Sequence, residues 1–253
     1  MVRNVNIKMI VLDLDGTLLN SDKKISDYSK SVIQKCREKG IKVIFATVRG
    51  TTESVAPSEL FDGCIKKSGM AYDGNNLIYK RVMSIDNVRG LLLACDKADL
   101  KIVAESSDDG ICYTNFNISE VWDKEHKVAD FTEMKFNSDK IYMTTETKED
   151  VDIIKNNLPK GVFVFPSRNN ITFISHVEAV KSKAAAALAG HWGIKQEEIL
   201  CFGDDLIDID ILQYCGVGVA MGNALDEVKA AADYVCDTND NDGVAKWIEE
   251  YVL

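Results

Sequence analysis

The sequence predicts an α/β fold, a doubly wound, Rossmann-like parallel-sheet core with an inserted α+β cap domain. Three observations predict it. Two apolar runs of the fully buried kind, IKMIVLDLD and IKVIFAT, flank a helical pattern near the N-terminus, which is the grammar of a β-α-β unit. The same alternation returns after residue 177. Between the two blocks, residues 81–176 read as hairpins joined by helices, the pattern of an antiparallel α+β unit.

Each element has its own signal. SDYSKSVIQKCREKG places Val32, Ile33 and Cys36 at helical spacing, with a Ser/Asp start and a Gly40 stop. In the middle block IDNVRGLLLACDKA is a helix, and KIVAES with GICYTN forms a hairpin around Asp108-Asp109-Gly110. A helix is expected near SEVWDKEHK, a strand at DKIYMTT and a helix at KEDVDIIKNNL. Paired strands follow at GVFVFPS and ITFISH. The last block opens with KSKAAAALAGHWGI, an Ala-rich helix. EEILCFGDD is then a strand ending in acids, LIDIDILQYC a helix, and GVGVAMGNA a strand and turn. ALDEVKAAAD is a helix, YVCDTN a last strand, and DGVAKWIEEYVL a closing amphipathic helix. The expected domains are a core of 1–80 and 177–253 and a cap of 81–176.

Composition narrows the function. A formal net charge of −10 over 253 residues argues against sequence-independent nucleic-acid binding, which relies on Lys and Arg. Seven cysteines are scattered without a C-x-x-C, which suits buried free thiols in a reducing compartment. His126, His176 and His191 are not spaced as metal ligands and read as surface or packing residues. No 18-residue apolar span and no secretory leader is visible in the sequence, so a cytoplasmic location is expected, with no membrane partner.

The chemistry lies at the strand ends. Ligands of open α/β sheets bind outside the carboxyl ends of the strands. There the sequence places Asp13 and Asp15 after the first strand, Thr47 after the second, and Asp204 with Asp205 after the late one. At least three carboxylates would converge if these strands are neighbours, and like charges that close call for a divalent cation. Oxygen-only ligands in small number suit Mg²⁺, which keeps waters and accepts substrate phosphate. Thr47 and Lys181 would complete a phosphate site, with backbone N–H groups around Leu14–Gly16 as further donors. One carboxylate can then serve as nucleophile and a second, two residues on, as acid and base.

DLDGTLL, ATVR, the Lys181 helix, and GDDLID followed by GVAMGNA together resemble the haloacid dehalogenase superfamily. More narrowly, they are similar to its Cof-type branch of sugar-phosphate phosphatases with a large α+β cap. The resemblance covers the whole chain in order. It implies Asp13 as nucleophile and Mg²⁺ ligand, and Asp15 as general acid/base that ligates Mg²⁺ through its backbone carbonyl. It further implies Thr47 and the backbone at Leu14 and Val48 as phosphate ligands. Lys181 would neutralise phosphate and nucleophile, Asp204 would ligate Mg²⁺, and Asp208 would support the metal through water or the second shell. Lys181 is preferred over Lys183 because it lies at the family's spacing from Gly193-Ile194. Three positions depart from the family pattern. Val48 replaces a glycine, Ile207 replaces an asparagine, and Ser68-Gly69-Met70 replaces Asn-Gly-Ala. Ile207 can donate nothing, and losing one charge-assisted contact costs roughly 1.5–3 kcal/mol.

The implied activity is Mg²⁺-dependent hydrolysis of small phosphorylated metabolites, sugar phosphates foremost, through an aspartyl-phosphate. Alternatives are a phosphomutase on the same fold and a catalytically weakened relative that binds phosphometabolites. A receiver-like signalling module shares the acids, Thr and Lys, but is about half this length. Arg49 reads as one half of a structural ion pair. Asp205 reads as a solvated helix residue that can partly compensate for Ile207. Tyr113, Phe116 and Trp122 read as core packing rather than pocket lining. The oligomeric state is open.

Overall fold

The computed structural model describes residues 6–117, 125–166 and 170–253. The chain divides into two compact units, Met1–Lys80 with Val180–Leu253, and Arg81–Ala179.

The first unit begins with β1 (Met9–Asp13), α1 (Asp27–Glu38) and β2 (Lys42–Ala46), followed by β3 (Gly63–Lys66), β4 (Met70–Asp73) and β5 (Asn76–Lys80). The second holds β6 (Met83–Ser84), α2 (Ile85–Lys97), β7 (Ile102–Ser106), β8 (Cys112–Thr114), β9 (His126–Val128), β10 (Asn137–Thr144), α3 (Lys148–Asn156), β11 (Val162–Pro166) and β12 (Ile171–His176). The chain then returns to the first unit with α4 (Lys181–His191), β13 (Ile199–Gly203), α5 (Ile209–Tyr214), β14 (Val217–Ala220), α6 (Asp226–Ala231), β15 (Tyr234–Val235) and α7 (Gly243–Tyr251).

The sheet of the first unit has the order β15-β14-β13-β1-β2-β3-β4-β5. β1 is therefore the switch point. The chain winds from it through β2 and β3 to one side, and through β13, β14 and β15 to the other. β1 pairs in parallel with both β2 and β13, in the register Met9↔Ile199 through Leu12↔Phe202. That register brings Asp13 level with Gly203 and sets Asp204 just beyond. Every residue of β1 and β13 is buried, so the acids stand where each strand leaves the core.

Both faces of this sheet are covered. Trp247 of α7 packs edge-on against Phe202 at 5.6 Å between ring centroids. The neighbouring Cys201 points the other way, its thiol donating to the Ile211 carbonyl of α5 at 3.3 Å. Successive strand residues face opposite sides, so α7 and α5 lie on opposite faces. The local signals act as read. Ser26 caps α1 by accepting the Ser29 N–H at 2.9 Å, and Gly40 turns the chain out with φ +80°.

In the second unit β11-β12-β10-β7-β8-β9 form a sheet, with β6 also on β10. The hairpin β7–β8 and the pair β11–β12 are antiparallel. Leu92 of α2 and Ile154 of α3 bury against Ile102, Ala104, Ile141, Met143 and Ile174 of the strands. Thr147 and Asp150 form a capping box at the start of α3. Tyr113 stacks on Phe136 at 4.6 Å and packs on this core, while Phe116 packs on Val103 and Cys112.

Two readings need correction. The helix expected near SEVWDKEHK falls largely on residues outside the description, Trp122 among them, but its end is strand: His126–Val128 pairs in parallel with β8. The run LIDIDILQYC is not one helix. Residues Leu206–Asp208 form a tight 3₁₀ turn before α5, because the Asp208 carboxylate folds back onto the amides of Asp204 and Asp205.

Candidate active site

Strand and helix ends of the first unit bring together residues far apart in sequence. Asp13 closes β1, Lys181 opens α4, and Asp204 to Asp208 follow β13. The Lys181 ammonium is 1% exposed and lies 2.5 Å from Asp13 Oδ1 and 2.6 Å from Asp208 Oδ1. The second oxygen of Asp208 accepts the N–H groups of Asp204 at 3.1 Å and Asp205 at 3.2 Å. Asp204 Oδ1 accepts the Thr17 hydroxyl at 2.9 Å. Asp13, Asp204 and Asp208 each place one oxygen within 4.8 Å of the others. Lys183 is exposed and takes no part.

Two glycines make this packing possible. Gly16 has φ +83°, and a Cβ there would stand 2.4 Å from Asp204 Oδ2. At Gly203 a Cβ would meet Asp208 Cβ at 2.5 Å. The Gly-Thr after the paired acids thus lets backbone and carboxylate touch, and Thr17 holds the carboxylate it admits.

The cluster is electrostatically unbalanced. With all three carboxylates ionised, the one ammonium leaves two negative charges uncompensated in a largely buried site. Burial drives Asp13 well above the usual carboxylate range, Lys181 opposing and Asp208 adding to it. Asp204 is pushed up to about 6 by burial and by Asp208. Burial works against the charge on Lys181, yet Asp13 and Asp208 keep it firmly protonated. A divalent cation supplies the missing two charges, and the donors are hard oxygens at a position only glycine at 16 leaves open. The residues fit such an ion.

Asp15 stands outside the triad. Arg49 grips its carboxylate with Nε at 2.5 Å and Nη2 at 2.6 Å, and Lys23 adds a contact at 2.8 Å. Hydrogen bonding from Arg49 holds Asp15 below the usual carboxylate range. Thr47 is buried; its carbonyl accepts Ser68 N–H at 3.0 Å, and its hydroxyl accepts Arg49 N–H at 3.1 Å. Beside it Lys67 and Ser68 both take positive φ, +50° and +61°, a strain of roughly 1–3 kcal/mol each of the sort found at functional sites. The Val48 side chain is 40% exposed, and Leu14 is fully buried. Ile207 is half-buried in the 3₁₀ turn, and Asp205 caps that turn by accepting Leu206 N–H at 2.7 Å.

Sequence reasoning left Thr17, Asn223 and Asp210 without roles. Asn223 donates to the Gly16 carbonyl at 2.8 Å, and Asp210 Oδ2 accepts the N–H of Ser182 at 3.0 Å. Thr17 and Asn223 both stand in motifs the sequence displays, DGT and GNA. Their partners are 187 and 207 residues away, a distance no local pattern spans.

Comparison with known proteins agrees with this geometry. Residues 10–248 match the family of haloacid dehalogenase-like hydrolases. A 5-amino-6-(5-phospho-D-ribitylamino)uracil phosphatase of Bacillus subtilis is 33% identical over 263 residues, covering 99% of this chain and 98% of its own. A phosphoglycolate phosphatase of Methanobrevibacter smithii is 26% identical, covering 98% of this chain and all of its own. Among solved structures, a sugar phosphatase of HAD subclass IIB shares the fold with a TM-score of 0.81 at 23% identity, over 96% of this chain and 98% of that one. The chain belongs to the haloacid dehalogenase superfamily, among its Cof-type phosphatases. It is a phosphoric monoester hydrolase. Among the described residues no helix is long and apolar enough to cross a membrane.

Proposed function

We propose that this protein hydrolyses small phosphorylated metabolites of the sugar- and polyol-phosphate class, using Mg²⁺ and an aspartyl-phosphate on Asp13. One observation carries the reading: a buried ammonium, Lys181, spans Asp13 and Asp208 beside Asp204. The relative that acts on a phosphorylated ribitylaminouracil supports the substrate class. Asp13, Asp204, the backbone carbonyl of Asp15 and, through water, Asp208 would hold the ion. Bound Mg²⁺ supplies charge neutralisation at the phosphoryl oxygens.

The chain's own residues do the rest. Lys181 keeps Asp13 oriented and offsets the negative charge that gathers on nucleophile and phosphate. Thr47 and the backbone amides of Leu14 and Val48 hold the non-bridging oxygens. An Asp13 carboxylate oxygen attacks phosphorus as the ester P–O bond breaks, and Asp15 gives its proton to the departing oxygen. Asp15 then takes a proton from water as the water oxygen attacks phosphorus. The bond to Asp13 breaks and inorganic phosphate leaves. Arg49 and Lys23 favour ionised Asp15, so donation requires that Asp15 leave the grip of Arg49 and take up a proton from solvent before the ester bond breaks. The free thiols suit a reducing, cytoplasmic setting.

The test is phosphate release from a panel of pentose, hexose and polyol phosphates, with and without chelator. Asp13→Asn is expected to lower kcat by ~10³-fold or more, as loss of a nucleophile does. Undiminished turnover in that variant, or indifference to chelator, refutes the reading.

A further inference from the structure

Helix α4 starts at Lys181 behind Val180, which offers no side-chain cap, so its first N–H groups need acceptors from elsewhere. One comes from α5, where Asp210 Oδ2 accepts the Ser182 N–H at 3.0 Å. Asp210 lies two residues after Asp208, whose Oδ1 meets the Lys181 ammonium at 2.6 Å. One short segment therefore grips Lys181 at both ends. Asp208 holds its charged head, and Asp210 holds the backbone beside its Cα. The lysine stem is flexible, so fixing its head alone does not set the backbone from which it extends. Asp210 makes this contact at a local cost, because its Oδ1 is buried with no hydrogen-bond partner among the described residues. A half-satisfied buried carboxylate is a local conflict of the kind proteins carry at functional sites.

We propose that Asp210 is a positioning residue, which fixes the origin of α4 so that Lys181 meets Asp13 in register. The inference rests on the role given above to Lys181. It is tested by kcat, KM and Tm on p-nitrophenyl phosphate for Asp210→Ala, Asp210→Asn, Lys181→Met and the Ala–Met double variant. The variants carrying Lys181→Met are followed in single turnovers with enzyme in excess. Asp210→Ala is expected to lower kcat about tenfold with KM within about twofold, the loss of one hydrogen bond felt at the reacting groups. Asp210→Asn keeps an acceptor oxygen and is expected to retain a third or more of kcat, roughly half a decade or less on that scale. In the Lys181→Met background the Ala substitution is expected to cost less than about twofold, because coupled residues are not additive.

Wild-type kcat in Asp210→Ala overturns the proposal. So does an equal loss in Asp210→Asn, or a tenfold loss that persists without Lys181. Should Asp210→Ala not fold, Asp210→Leu replaces it with the same outcomes. Wild-type kcat in Lys181→Met alone would instead remove the role of Lys181, a separate failure.

Discussion

Gly16→Ala isolates the contact on which the acidic cluster depends. The added methyl would lie 2.4 Å from Asp204 Oδ2 and 2.8 Å from its Cγ, well inside van der Waals contact. The neighbour is a carboxylate tied to the Thr17 hydroxyl, so it can move only by giving up that bond and its place near Asp13 and Asp208. The backbone is also affected, since φ is +83° and a left-handed conformation costs a non-glycine residue roughly 1–2 kcal/mol. For a chain of this size each kcal/mol lowers Tm by about 2–4 °C, so the expected fall is about 2–8 °C. The larger effect is on the proposed Mg²⁺ site. Displacing one charge-assisted ligand costs roughly 1.5–3 kcal/mol, or a rise of about 10- to 150-fold in the dissociation constant. Titration calorimetry of Mg²⁺ into the metal-free protein reads that constant, and Tm from the same samples reads the fold. Wild-type affinity in a folded Gly16→Ala protein would refute the placement of Asp204 in the site.

Other consequences follow from the same geometry. Asp204 is raised from 3.8 to about 6, so the metal-free folded state holds a proton there that the unfolded chain has lost. Its contribution to stability is therefore present at low pH and is lost as pH rises from about 4 to about 6, by at most about 3 kcal/mol; urea unfolding with chelator should show the decline, and a rise would contradict it. Mg²⁺ must displace that proton, so its dissociation constant should increase up to about tenfold per unit below pH 6, whereas a flat profile would count against Asp204. Ile207→Asn restores a side-chain donor to the turn that carries Asp208, and kcat/KM on the best substrate should increase by about 10-fold or more if the missing contact is felt in the transition state; no change would show that Ile207 is merely tolerated.

Much of the site was readable in advance because its residues lie at the ends of periodic segments. The buried run MIVLD had to be a strand, and an acid at its exit had to lie at the mouth of the sheet. The Ser26 cap, the Gly40 stop and the alanine-rich α4 were equally local. Local pattern failed where tertiary contacts override it. The turn at Leu206–Asp208 forms because the Asp208 carboxylate folds back on the amides of Asp204 and Asp205, and His126–Val128 is extended because β8 offers it a partner.

Sequence alone thus determined which residues could do chemistry: two acids after one strand, a threonine after another, a lysine opening a helix, more acids after a third strand. It did not decide which of them touch. Parallel pairing of β1 with β13 set Asp13 level with Gly203, and the winding of the chain to both sides of β1 brought α4 and its lysine to the same edge. Distances of 2.5 and 2.6 Å to the Lys181 ammonium arise across separations of 168 and 27 residues. Hydrogen-bond geometry and burial act over a few ångströms, while sequence pattern records only neighbours along the chain, so the grip of Arg49 on Asp15 and of Asp210 on α4 belonged to the folded molecule alone.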